Sequence, residues 1–166
     1  MSEIYFIGDT HFGHKGIIQF SETKPFRPFD TIEEHDEELV KRWNSVVGKK
    51  DNVWHLGDVA FGARNLPVLG RLNGYKRLIM GNHDVYGASE YLKYFSKVFG
   101  IVEYKGMVLS HAPLHESQLK RWYINVHGHL HTKTLNDPRY INVSCEQINL
   151  TPVPLDYIFN KWAESN

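Results

Sequence analysis

Ten of the 166 residues are histidines, and six of these histidines lie in five short polar stretches. The stretches are Gly8-Asp9-Thr10-His11, Gly57-Asp58, Gly81-Asn82-His83-Asp84, Ser110-His111 and His127-Gly128-His129-Leu130-His131. Histidine is the commonest metal ligand in proteins and also the side chain that exchanges protons near neutral pH. The five stretches therefore indicate a metal site with a proton-transferring group close to it.

The spacing within two of the stretches places pairs of ligand-type side chains together. Side chains two residues apart on an extended segment project to the same side, so we expect Asp9 and His11 to face one site. The same spacing recurs at His129 and His131. The two pairs can therefore converge on a common centre.

Two further side chains are suited to a centre that holds two ions. A carboxylate can bridge two ions through its two oxygens, so Asp58, in a tight glycine turn, is a candidate bridge. Asn82 offers one neutral carbonyl oxygen. Two divalent ions held by two carboxylates and a hydroxide keep a net positive charge, which suits an anionic phosphoryl group.

Each stretch on its own has a simpler explanation. Asp, Asn and Gly are ordinary residues of tight turns, so a single stretch can serve only to reverse the chain. Turn geometry gives no reason to choose histidine, and five such stretches in one short chain favour a metal site.

Four histidines lie outside the five stretches: His14, His35, His55 and His115. We expect structural hydrogen bonds or exposure for them, because a lone histidine more often has such a role than binds an ion. His35 lies on an acidic helix and is expected to be solvated. His14 and His115 are close to ligand stretches in the sequence, so a contact with the substrate or with a ligand residue stays open for both.

A basic residue near the site could hold the rest of an anionic substrate. Arg27 lies in the segment 24–29, which prolines stiffen, and a guanidinium group is well suited to a phosphate oxygen. Alternatively, Arg27 covers Phe26 and Phe29 at the surface.

Other aromatic residues are assigned to structure rather than to the site. The basic and aromatic run 120–123 is expected to begin a strand with a solvated edge. Three phenylalanines are expected in the core: Phe12, Phe61 and Phe99.

The elements that must position the polar stretches alternate along the chain. Apolar runs with β character predict strands at 4–8, 53–57, 77–81, 97–104, 107–110, 123–126 and 140–144. Thr31 and Glu34 have capping-box spacing and predict a helix that continues to Gly48, and weaker helices are predicted at 65–72, 89–95 and 155–163. This alternation indicates an α/β fold, in which sites are built where strands end.

The composition limits the classes of protein to which the chain can belong. A length of 166 residues with 42% hydrophobic residues predicts a single domain over residues 1–166. Lys and Arg balance Asp and Glu at 19 each, so the charge of a duplex-DNA-binding protein is missing. Cys145 is the single cysteine, which excludes an internal disulfide and a cysteine-rich zinc site. The sequence contains no secretory signal and no apolar run of about 20 residues, so we expect a cytoplasmic protein that does not cross a membrane.

The order of the motifs is Asp-x-His, Gly-Asp, Gly-Asn-His-Asp, His and Gly-His-x-His, over positions 8–131. This order resembles that of the calcineurin-like metallophosphoesterase superfamily. The opening Asp-Thr-His-Phe-Gly-His and the short chain are similar to its small bacterial and phage-type members. The resemblance implies an α/β sandwich of two mixed β-sheets flanked by helices, with the metal site at the C-terminal ends of strands.

The resemblance also implies a role for each motif residue. One divalent ion would be bound by Asp9, His11 and His131, and the other by Asn82, His111 and His129. Asp58 would bridge the two ions. His83 would stabilise or protonate the leaving oxygen, and Asp84, where many relatives have Glu, would orient the ring of His83.

The implied activity is hydrolysis of a phosphodiester, which could be a small cyclic, dinucleotide or generic diester, by a hydroxide that bridges the ions. A single-strand nuclease, a phosphomonoesterase and an inactive interaction scaffold are the alternatives. The expected partner is a small phosphoester, with nucleic acid only as a substrate and no membrane. Mn²⁺ is the expected ion, with Fe, Zn or Ni as substitutes. The sequence does not indicate the oligomeric state.

Overall fold

The computed structural model describes residues 2–164, which form two mixed β-sheets flanked by helices. The strands of the first sheet are β1 (Ile4–Ile7), β2 (Asn52–His55), β3 (Tyr75–Ile79), β4 (Lys97–Phe99) and β9 (Val153–Pro154). The strands of the second sheet are β5 (Ile101–Tyr104), β6 (Met107–Ser110), β7 (Ile124–His127) and β8 (Tyr140–Asn142). This architecture confirms the predicted fold class.

The first sheet has the strand order β4-β3-β2-β1-β9. Strands β1 to β4 are parallel, and only β9 runs antiparallel, against β1. Strands of such a sheet are covered on both faces, which explains why β1 and β2 are short, mostly apolar runs whose last residues are buried. The C-terminal ends of β1, β2 and β3 consequently lie side by side.

The second sheet has the order β5-β6-β7-β8, with β6, β7 and β8 parallel and β5 antiparallel to β6. The prediction of one continuous strand over 97–104 is wrong. The run is broken at Gly100, and β4 joins the first sheet while β5 joins the second. A glycine inside an apolar run is a common place for a strand to bend or end.

The two sheets are linked next to the ends of β1 and β8. Gly8 forms an isolated parallel bridge with Ser144. The Gly8 amide donates to the Val143 carbonyl at 2.8 Å, and the Cys145 amide donates to the Gly8 carbonyl at 3.1 Å. The chain beyond β8 therefore fixes the first polar stretch against the second sheet.

The helices are α1 (Ile32–Val46), α2 (Ala88–Tyr91) and α3 (Leu155–Ala163). The predicted capping box of α1 is confirmed, because the Glu34 amide donates to Thr31 Oγ1 and the Thr31 amide donates to Glu34 Oε2, both at 3.2 Å. The segment Ala63–Arg71 is a 3₁₀ helix that contains Pro67, and shorter 3₁₀ helices lie at Lys15–Ile18 and Glu116–Lys120. No helix within residues 2–164 has the length and apolar character needed to cross a bilayer.

The prediction that His35 is solvated is wrong. Its side chain is fully buried on the face of α1 that also contains Ile32, Leu39 and Trp43. These residues recur at helical spacing, so His35 belongs to the inward stripe although the helix is acidic elsewhere.

The hydrophobic core contains residues of both sheets in one continuous cluster. Phe6 and Leu78 come from the first sheet, and Leu109 and Val126 come from the second. Phe12 is fully buried in this core as predicted, and Phe99 packs against it while partly exposed. Both sheets therefore form a common scaffold for the residues beyond their strands.

Candidate metal centre

The five polar stretches meet beyond the C-terminal ends of β1, β2, β3, β6 and β7. Their backbone is unusual, because five residues have a left-handed φ between 49° and 67°: Asp9, His11, Asp58, His129 and His131. Such a conformation is unfavourable for residues that carry a Cβ, and it concentrates at functional sites. The expectation of extended segments at 9–11 and 129–131 is wrong, and tight turns bring these side chains together instead.

The first cluster consists of Asp9, His11 and His131. Nε2 of His11 lies 3.8 Å from Asp9 Oδ1, and Nε2 of His131 lies 3.9 Å from the same oxygen. Two atoms bound at about 2.1 Å to one ion lie about 3 to 4 Å apart. The three side chains are therefore spaced to share a cation.

The second cluster consists of Asp58, Asn82, His111 and His129. Asn82 Oδ1 lies 2.9 Å from His111 Nε2 and 2.9 Å from His129 Nδ1, and the two ring nitrogens are 3.2 Å apart. His111 Nδ1 donates to the Leu56 carbonyl at 2.7 Å, which leaves the lone pair of the neutral ring on Nε2. The Asn82 oxygen and the two ring nitrogens are thus close enough together to contact one cation.

Asp58 lies between the two clusters. Its Oδ2 is 3.6 Å from His11 Nε2 and 3.4 Å from His111 Nε2. Burial alone would raise the pKa of the Asp58 carboxyl, but the hydrogen bond with His111 and nearby positive charge lower it to about 2. The carboxylate is therefore ionised at neutral pH in the position of a bridge.

The unsatisfied polar atoms of the centre fit a bound cation. Asp9 Oδ1 and His11 Nε2 are buried without a hydrogen-bond partner, a state that costs about 1 to 3 kcal/mol per group. Burial alone would lower the pKa of His111, yet its hydrogen bond to Asp58 and the charge of Asp9 raise it to about 9. A divalent ion in the first cluster would satisfy the two atoms, and one in the second cluster would displace the proton of His111.

Glycines allow the turns to approach the acidic side chains closely. A Cβ on Gly81 would fall on Asp58 Oδ1, and a Cβ on Gly128 would fall on Asp9 Oδ2. The same Asp9 oxygen accepts the His129 amide at 2.9 Å. The glycines of the stretches therefore make room for the carboxylates.

Asp84 has a different task from the one that the resemblance implies. Its Oδ2 accepts the backbone amides of Asp58 at 2.8 Å and Gly81 at 2.7 Å, and its Oδ1 accepts that of Val59 at 3.0 Å. The carboxylate is buried, and its hydrogen bonds go to the backbone rather than to the ring of His83. The expected orienting role is wrong, and Asp84 instead joins the turn after β2 to the turn after β3.

His83 faces a cleft of about 600 Å³ that opens beside the clusters. The centroid of its exposed ring lies 4.9 Å from that of the Phe61 ring. Phe61 in turn stacks on His14 with ring centroids 3.8 Å apart. The prediction of Phe61 in the core is therefore wrong, because it lies in the wall of the centre. His14 Nδ1 is 3.1 Å from His11 Nδ1, so His14 contacts a member of the first cluster directly.

Arg27 neither covers the surface nor faces the cleft, because its side chain is fully buried. Both sequence-based expectations for Arg27 are wrong. The two prolines and the aromatic residues of segment 24–29 give no sign that the Arg27 side chain turns inward. Its Nε donates to Glu146 Oε1 at 2.7 Å, and the same oxygen accepts His131 Nδ1 at 3.1 Å. Glu146 lies outside the five stretches. The sequence offers no signal for it except its place two residues after the predicted strand 140–144.

Two of the remaining histidines have structural hydrogen bonds, as expected. His55 Nε2 donates to Thr10 Oγ1 at 2.9 Å, and burial lowers the pKa of His55 to about 3. His115 caps the short 3₁₀ helix Glu116–Lys120 by accepting the Ser117 amide. The run 120–123 lies just before β7, at the end of the second sheet opposite to the clusters.

Comparisons with known proteins agree with this geometry. The chain is 38% identical over 173 residues to an uncharacterized protein of Methanocaldococcus jannaschii, across 95% of this chain and 90% of that protein. A protein of unknown function from Aquifex aeolicus has a similar structure, with a TM-score of 0.72, 26% identity and coverage of 96% and 99% of the two chains. A novel archaeal phosphodiesterase shares the fold at a TM-score of 0.51 and 18% identity, over 84% of this chain and 82% of that one.

The sequence also matches the model of the calcineurin-like phosphoesterase family over residues 2–164. This match includes all five polar stretches, both clusters and the strands that lead to them. The chain belongs to the calcineurin-like phosphoesterase family.

Proposed function

We propose that the protein hydrolyses phosphodiesters with two divalent ions, one in each cluster, and with Asp58 as the residue that they share. The observation that carries this proposal is the position of Asp58 Oδ2, 3.6 Å from a ring nitrogen of the first cluster and 3.4 Å from one of the second. A single carboxylate oxygen at such distances from two sets of ligand atoms is suited to a centre that holds two ions.

Apart from Asp58, the proposed ligands divide between the two ions as the clusters do. The first ion takes Asp9, His11 and His131, and the second takes Asn82, His111 and His129. When bound, the ions would stabilise negative charge on the phosphoryl oxygens and lower the pKa of a water molecule to the neutral range. Mn²⁺ is the proposed ion, with Fe, Zn or Ni able to bind the same nitrogen and oxygen ligands.

His83 is proposed to donate a proton to the leaving oxygen. Its ring faces the cleft next to His11, with ring centroids 6.0 Å apart, yet it belongs to neither cluster. Phe61 restricts the ring from one side. Asp84 supports this role indirectly, because its hydrogen bonds fix the turn on which His83 lies.

The cleft supports a small diester as the substrate. It is lined by members of both clusters together with Ile17, Phe20, Leu130 and Lys133. A volume of about 600 Å³ with partly apolar walls can accept the organic group of a diester, and Lys133 in its lining forms an ion pair with Glu22 at 3.9 Å. The shared fold of the archaeal phosphodiesterase is compatible with this choice.

A substrate and metal screen tests the proposal. Metal-free protein is supplied in turn with Mn²⁺, Fe²⁺, Zn²⁺ or Ni²⁺ and offered bis(p-nitrophenyl) phosphate, p-nitrophenyl phosphate, cyclic nucleotides, linear dinucleotides and short single strands. We expect metal-dependent hydrolysis with diesters ahead of the monoester. Hydrolysis of the monoester alone would contradict the diester preference, and inactivity with every ion would favour a scaffold.

A further inference from the structure

We propose that Arg27 and Glu146 are positioning residues that build the first cluster, so that their loss weakens one of the two ion sites and spares the other. The inference rests on the proposed two-ion function. Both residues lie outside the five polar stretches, and both are more than nine-tenths buried.

Arg27 is a cation that is surrounded by acceptors. Its Nη2 donates to the Asp9 carbonyl at 2.6 Å, and its Nη1 donates to the Thr10 carbonyl at 3.2 Å and to His35 Nε2 at 2.8 Å. Its Nε donates to Glu146 at 2.7 Å. A guanidinium group has the planar set of donors that this arrangement needs, whereas an ammonium group has not.

The two carbonyls that Arg27 holds belong to the turn of the first cluster. Asp9 and His11 both have a left-handed φ in this turn, at 56° and 51°. A strained turn persists only where neighbouring groups enforce it. Arg27 is therefore placed to keep the Asp9 and His11 side chains in their spacing.

The same turn is held from its other end through α1. His35 Nδ1 donates to Asp36 Oδ1 at 2.9 Å, and Asp36 Oδ2 accepts the amide of Gly13 at 2.9 Å. His35 thus joins the guanidinium group to a residue whose second oxygen fixes the far side of the turn. This connection explains why a histidine is buried on an otherwise apolar helix face.

Glu146 extends the arrangement to the third member of the cluster. Its Oε1 accepts from both Arg27 Nε and His131 Nδ1, the latter at 3.1 Å. A carboxylate that accepts one ring nitrogen of a histidine fixes the ring and leaves the other nitrogen for an ion. Here that other nitrogen is Nε2, which faces Asp9 Oδ1 at 3.9 Å.

The second cluster is oriented mostly by other contacts, although the His129 amide also donates to Asp9 Oδ2. His111 is held by the Leu56 carbonyl, and Asp58 accepts the His83 amide at 2.9 Å. Neither of these contacts includes Arg27 or Glu146. Loss of the buried pair should therefore act on one cluster.

The test is calorimetric titration of metal-free protein with Mn²⁺ alone. The wild type is expected to bind two ions, and Glu146→Gln is expected to bind one of them about 10- to 100-fold more weakly, with the other unchanged. Arg27→Lys should act on the same site. Glu103→Gln is the control, because it makes the same chemical change in an exposed side chain bonded only to Trp122. Unchanged binding in Glu146→Gln, or equal loss at both sites, would overturn the inference.

The tautomer of His131 gives a readout that needs no variant to fold. Nitrogen-15 NMR of the wild type should show a proton on Nδ1 before and after Zn²⁺ is added, with only Nε2 changing its shift. A neutral ring that carries its proton on Nε2 rather than on Nδ1 would contradict the inference. Failure of the wild type to bind any ion would instead contradict the proposed function.

Discussion

His83 and Asp58 lie near each other in the structure but are expected to respond differently to mutation. The His83 amide donates to Asp58 Oδ1, while the His83 ring faces the cleft. The ring can therefore be removed without removing a member of either cluster. Mutation can distinguish a metal ligand from a proton donor, because loss of a ligand lowers the metal content whereas loss of a proton donor lowers the rate.

His83→Ala is expected to lower kcat for a diester about 100- to 10,000-fold, because a positioned proton donor contributes that much to the rate. Two ions should still bind. The measurement is kcat together with metal content, and His115→Ala is the control because the exposed His115 side chain is hydrogen-bonded only to Ser117 within residues 2–164. Wild-type kcat in His83→Ala would remove His83 from the mechanism.

The roles of single residues could be predicted from the sequence only in part. Residue type marked the five stretches, because few side chains bind transition metals, and the resemblance to the calcineurin-like family then selected the members of both clusters. The sequence could not place Arg27 or Glu146, since one lies 119 residues from the other along the chain. It also could not show that Asp84 bonds to backbone amides rather than to a ring.

At the scale of the elements, the centre depends on turns more than on strands. The turn after β7 lies against the turn after β1, because Gly128 has no side chain to meet the Asp9 carboxylate. The turns after β2 and β3 are joined by Asp84. Strand ends bring the turns together, and these close contacts set the final spacing.

Gly128→Ala is expected to weaken Mn²⁺ binding and to lower the free energy of unfolding by about 1 to 3 kcal/mol, because the added methyl overlaps Asp9 Oδ2. Gly100→Ala is the matched control, since a Cβ there meets no atom within 4 Å. Urea denaturation and metal titration measure the two effects. Equal behaviour of the two variants would mean that the close approach at Gly128 is unimportant.

The strands and the main helix could be predicted from apolar runs and a capping box, because both signals are local. The division of 97–104 between two sheets could not be predicted, since the local pattern does not show that β4 pairs back with β3 while β5 forms a hairpin with β6. Strand β9 pairs with β1 over only two residues, which is too short a run to recognise. Left-handed turns at ligand positions likewise have no pattern in a single sequence.

At the scale of the whole molecule, the proposed ligands come from both sheets. Asp9, Asp58 and Asn82 follow strands of the first sheet, while His111 and His129 follow strands of the second. Ions bound between these residues would connect the two halves of the sandwich. Metal content should therefore affect the stability of the whole fold.

Removal of metal with a chelator is expected to lower Tm. An ion present at 100 times its Kd stabilises the folded state by about 2.7 kcal/mol, which corresponds to about 5 to 10 °C for a chain of this size. Thermal unfolding with EDTA and with excess Mn²⁺ measures the difference. Asp58→Asn should show a smaller difference than the wild type, and identical melting of the wild type under both conditions would contradict a metal shared by the two sheets.

The most direct test of the central claim is a titration of the metal-free wild type with Mn²⁺ while hydrolysis of bis(p-nitrophenyl) phosphate is followed. A centre built around Asp58 predicts that hydrolysis rises steeply as the second equivalent binds and that Asp58→Asn stays near the background rate. Full hydrolysis at one equivalent, or wild-type hydrolysis by Asp58→Asn, would contradict a two-ion phosphodiesterase.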